Sequence, residues 1–138
     1  MGALILHAAV FTAAFLIGAA VLLRGAHTGR RRVRWNPGMG PHRGPLVYIV
    51  RAEGTDEVKV GMTTQTVDER VGGWETGRPQ RCVLIGVVTV QTKDEAYRVE
   101  ARIHRALKRM PGRRWLGKEW FRLPADDPAW MPVIEAAA

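Results

Sequence analysis

LVYIVRAEGTDEVKVGMTTQTVDER, residues 46–70, decides the fold. Residues 46–51 form a β-branched and aromatic run, the composition of a strand. Glu53, Gly54, Thr55 and Asp56 are polar and carry the glycine that a tight reversal needs. Val58, Lys59 and Val60 alternate apolar and polar, and Gly61 ends that second strand. Thr66 and Glu69 stand at the spacing of a reciprocal helix cap, so a helix should start there. Two strands side by side would set Tyr48 beside Gly61, and the helix would aim Arg70 back toward them.

Working outward, residues 82–90 are the most apolar run and read as the most buried strand, pairing with the first hairpin. Thr92 and Glu95 repeat the capping spacing and open a helix over residues 93–109. Its buried stripe is Ala96, Val99, Ile103, Ala106, Leu107 and Met110, and Pro111-Gly112 stops it. Tyr97, Glu100 and His104 run along one edge of that stripe. The expectation is an α/β (α+β) fold: a small, three-stranded, mainly antiparallel sheet flanked by helices, preceded by one transmembrane helix. Residues 115–123 return as an apolar edge, with Trp74, Trp115 and Trp120 read as core in preference to base-stacking platforms. Residues 124–138 read as a loose tail with Trp130 tucked in.

These segments resemble the GIY-YIG nuclease superfamily, in the phage and bacterial branch whose second motif is KIG or KVG. Leu46-Val47-Tyr48 stands for GIY and Lys59-Val60-Gly61 for YIG. Thr63 or Thr64 with Arg70, Glu100 with His104, and Glu119-Trp120-Phe121 match the later motifs. The resemblance covers roughly residues 45–124 and implies a metal-dependent DNA endonuclease. It implies catalytic roles for Tyr48, Arg70, His104 and Lys59, a Mg²⁺ or Mn²⁺ ligand in Glu100, and structural roles for Gly61, Thr63, Trp120 and Phe121. Leu46 replaces the family's first Gly, Lys59 its second Tyr, and its late Asn has no clear equivalent, Glu119 lying closest in order.

The residues carry the same chemistry without the resemblance. A phosphodiesterase needs a carboxylate for a hard cation, a group to activate water, and a cation for the phosphate. Glu100, Tyr48 and Arg70 supply one of each, and the arginine fork suits phosphate better than a lysine does. Plainer uses exist for each: Tyr48 as core, Glu100 and His104 as a surface pair, Arg70 as the partner of a nearby acid. Only their conjunction at the spacing of the resembled family favours a site. The alternative function is a non-catalytic DNA- or protein-binding module.

Charge refines the partner. The chain has 21 basic and 13 acidic residues, net +8. Residues 1–44 hold six arginines and no acid, and residues 45–138 hold 15 basic against 13 acidic, so the folded part is only +2. DNA attraction must therefore come from local clustering, and Arg102, Arg105, Lys108, Arg109, Arg113 and Arg114 form the cluster. The lone cysteine, Cys82, excludes an internal disulfide and a cysteine-headed zinc site.

Residues 3–23 contain no charge and as a helix would be about 31 Å long, a bilayer's span. A cleaved signal peptide wants a basic start and a shorter apolar run, so a retained anchor is the reading, although a start at Met39 would bypass it. The arginines that follow place the domain on the cytoplasmic side. The expected layout is an anchor over 1–24, a basic Gly/Pro/Arg linker over 25–44, the domain over 45–124 and a tail over 125–138. Anionic lipid contact is the use expected for Arg30–34, with Trp35 at the interface.

Overall fold

The hairpin forms as the sequence dictates. In a computed structural model, which describes residues 31–38, 40–75, 80–111 and 114–138, β2 (Leu46–Ala52) and β3 (Glu57–Thr63) pair antiparallel. Tyr48 faces Gly61 directly in that register. Gly54 turns the chain at φ +73°, a conformation glycine adopts freely. Thr66 and Glu69 cap α1 (Val67–Glu75) as a closed box: the Glu69 amide donates to Thr66 Oγ1 at 3.2 Å, and the Thr66 amide to Glu69 Oε2 at 3.0 Å. α2 (Lys93–Arg109) has the same device, with Thr92 accepting from the Glu95 amide.

The sheet is larger than the sequence suggested. Among the described residues, six antiparallel strands run in the order β1-β4-β2-β3-β6-β5, accompanied by three helices. β1 (Arg34–Trp35) pairs with β4 (Cys82–Thr89), while β5 (Trp115–Gly117) and β6 (Trp120–Arg122) form a second hairpin against β3. The three-stranded expectation is corrected accordingly: strands of two or three residues are too short to show a period of two. β4 is also not the most buried strand. β2, covered on both edges and both faces, takes that place, and β4 is half-covered from Cys82 to Ile85.

The sheet separates two apolar layers. On one face Val47, Ile49, Val58 and Val60 pack with Val99, Ile103 and Leu107 of α2 and with Ile134 of α3 (Trp130–Ala137). On the other, Leu46, Tyr48, Val50 and Val87 pack with Val67 and Val71 of α1. The expected loose tail thus contains a helix that docks through buried Trp130 and Ile134. Part of the expected linker joins the fold as well. Val33 is buried, Trp35 meets Trp130 edge-on at 5.6 Å, and Arg31 pairs with Glu95 at 2.7 Å.

The single-pass membrane assignment is corrected too. Among the described residues no helix is long and apolar enough to cross a membrane. The apolar stretch over residues 3–23, on which that assignment rested, lies outside the described residues.

Candidate functional site

β6 pairs with β3 only over Glu57, Val58 and Lys59. Past Lys59 the pairing ends with the Val60 amide donating to the Glu119 carbonyl at 3.2 Å, and the Val60 carbonyl accepts from His104 Nε2 of α2 at 2.8 Å. Side chains from both faces of the sheet can meet around this open edge. Glu100 reaches it from α2, Tyr48 and Lys59 from the opposite face, Arg70 from α1, and Glu119 from the β5–β6 turn.

Tyr48 is fully buried, and its ring crosses Gly61. A Cβ built on Gly61 would lie 2.6 Å from Tyr48 Cζ and overlap its hydroxyl, so glycine is required there by close approach. The hydroxyl is hydrogen-bonded to Arg70. Burial pushes the phenol up to about 12, an effect the Arg70 bond opposes and the charges of Glu119 and Glu100 reinforce.

Glu100 is half-buried, and its carboxyl is raised to about 7. Loss of hydration is the larger cause and repulsion from Glu119 the next, while Lys59 and Arg70 pull the other way. Glu119 is itself tied to Lys59 at 2.7 Å. His104 is held below the ordinary histidine range by burial, so it is neutral at pH 7 with its Nε2 proton committed to Val60.

Tyr48, Lys59, Arg70, Glu100 and His104 therefore share one electrostatic neighbourhood. Glu119 joins them, a residue the sequence quoted within Glu-Trp-Phe but did not assign to the site. Gly61 lies under the Tyr48 ring, and on the other face of the sheet Phe121 lies buried with its ring 5.5 Å from that of His104. Lys59 Nζ stands 5.9 Å from the centre of the half-buried Trp120 ring. Thr63 is buried, its hydroxyl accepting from the Gln65 amide.

The expected basic cluster divides. Arg102 donates to the carbonyls of Ala137 and Ala138, and Arg114 pairs with Asp127 at 2.9 Å, so both brace the C-terminal segment. Arg105, Lys108 and Arg109 are exposed along the end of α2, and Arg113 lies outside the described residues.

The donor set suits a hard cation. Among the described residues no group of three or more His, Cys, Asp or Glu converges. Glu100 and Glu119 nonetheless offer oxygen donors, and Glu100 carries an uncompensated burial that a divalent charge would relieve. One or two carboxylates, with water and phosphate oxygens, is the usual manner of holding Mg²⁺.

Comparison with known families gives a match to the T5orf172 domain over residues 46–130, more than half of the chain. The GIY-YIG assignment is corrected by this result, since no GIY-YIG family model matches. Motifs of three residues, two of them altered here, were too short to decide between families. No curated protein matches the chain, and neither does any solved structure.

Proposed function

Because the chain belongs to the T5orf172 domain family, a nuclease-like, DNA-binding module, we propose that it is an endonuclease hydrolysing DNA phosphodiester bonds with Mg²⁺ or Mn²⁺ held at Glu100. The observation that carries this reading is the Glu100 carboxyl, desolvated beside Glu119 and faced by Lys59 and Arg70. Such a perturbed carboxyl among cations marks functional sites more than structural ones.

The proposed roles are these. A bound cation would neutralise charge building on the phosphate. Arg70 binds the phosphate through its fork and, through its bond to Tyr48, fixes the phenol's direction. Tyr48 stays protonated at neutral pH and is fully buried, so it serves to orient Arg70 instead of removing a proton from the attacking water. Lys59 steers Glu119 toward the site, and His104 is a positioning residue that ties α2 to β3 one turn from Glu100.

The test is nicking of supercoiled plasmid by the full chain. The wild type should cut with Mg²⁺ or Mn²⁺ and stop on chelation. Glu100→Ala and Arg70→Ala should each lose about 100-fold or more. A wild type that binds plasmid but never cuts it would overturn the enzyme and leave a non-catalytic DNA- or protein-binding module. The existing Lys59–Glu119 pair is what favours that second reading.

A further inference from the structure

Trp115 and Leu116 sit on β5, the outermost strand, and are 48% and 44% exposed. Tryptophan is the residue with the most apolar surface to hide, and a short, open, apolar edge strand invites unwanted pairing. Yet Trp115 is held in place. Its indole nitrogen donates to the Lys118 carbonyl at 3.1 Å, and Lys108 Nζ stands 4.2 Å from its ring centre. A fixed, half-open indole with a cation against it combines a stacking surface with an electrostatic grip.

The surroundings select an anionic occupant. The last half of α2, residues 101–109, contains no acid, and its Arg105, Lys108 and Arg109 are exposed, while Arg102 is engaged by the C-terminal carbonyls. Lys118, exposed at the turn beside Trp115, adds another cation. The adjacent acid, Glu119, is held by Lys59. The platform is also built into the site: the same hairpin carries Trp115 on one strand and delivers Glu119 at its turn. β5 lies two strand spacings from β3, about 10 Å.

We propose that Trp115 is a stacking platform for an unpaired base of the DNA, with Lys108 and Arg109 gripping the adjoining phosphates, so that the preferred substrate carries a single-stranded segment beside the bond to be cut. This rests on the DNA reading above and narrows its substrate class. Duplex bases are already stacked on one another, whereas an unpaired base gains its stacking partner from the protein.

The test measures binding of the full chain to a labelled single strand of about 16 nucleotides and to the matching blunt duplex, at one salt concentration. Trp115→Ala should weaken single-strand binding about tenfold and duplex binding less than about twofold, and Trp115→Phe should retain most of the affinity. Unchanged single-strand binding by Trp115→Ala overturns the proposal. So does an equal loss on both DNAs, which would mean a general loss of structure or charge. So does a concentration-dependent dimer that Trp115→Ala abolishes while DNA binding stays constant, since β5 would then serve a second copy. Glu100→Ala separates this proposal from the nuclease reading. A chain that never cuts but still shows the tenfold, single-strand-specific effect refutes the nuclease and keeps the platform.

Discussion

Gly61→Ala should destabilise the protein by forcing the buried Tyr48 ring away from the site. The new Cβ would fall 2.6 Å from Tyr48 Cζ, well inside contact distance, and Tyr48 is fully buried with no space to retreat into. Overpacking of this kind costs about 1–3 kcal/mol. Replacing glycine by alanine within a strand gains about 0.5–1 kcal/mol through a less flexible unfolded chain. The net loss should therefore be about 0–2.5 kcal/mol, read as a lower urea midpoint at unchanged slope. The decisive comparison is the same change in a Tyr48→Leu background. There the ring is gone, only the backbone gain remains, and Gly61→Ala should stabilise by about 0.5–1 kcal/mol. If Gly61→Ala lowers stability equally in both backgrounds, the ring does not lie over Gly61 and the geometry of the site is wrong.

Other expectations follow from the same neighbourhood. Glu100 titrates higher in the folded chain than its ordinary 4.5, at about 7, so the fold holds this proton longer than the unfolded chain does. Stability should then fall as pH rises from about 4.5 to 7, and Glu100→Gln should be more stable than wild type above pH 7 by about 1 kcal/mol after solvent screening, with the difference gone below pH 4.5, as urea titrations at several pH values would show. Lys59→Met removes a charge that lowers the Glu100 pKa, so the acidic limb of the cleavage–pH profile should move to higher pH. Thr92→Ala removes the cap on the Glu95 amide and should cost about 1 kcal/mol by thermal unfolding without changing DNA affinity.

What the sequence revealed was local. The β2–β3 hairpin and α2 follow from contacts within a few residues, and both form where their turn glycine and threonine caps place them. Tyr48, Arg70 and Glu100 were legible as candidates because their side-chain chemistry is written directly in the chain, whereas His104 became a candidate only through the motif it resembles. The hidden parts depend on distant partners. Trp35, among arginines and glycines, reads as a membrane-interface residue, but it meets Trp130 edge-on and donates to Glu135 Oε1 at 2.6 Å, contacts about a hundred residues away. Trp115 reads as core because tryptophan usually is, and only the position of β5 at the sheet edge leaves it exposed. Arg102 reads as a phosphate contact, and it is claimed by the C-terminal helix that the Pro- and Ala-rich composition of residues 124–138 concealed.

The central claim is that one half-buried carboxylate, Glu100, holds the cation that the cleavage reaction needs. Mn²⁺ titration of the full chain, followed by electron paramagnetic resonance, tests this without reference to activity. The wild type should bind a Mn²⁺ ion that Glu100→Ala does not bind and that Mg²⁺ displaces. Equal Mn²⁺ binding by wild type and Glu100→Ala would contradict the claim.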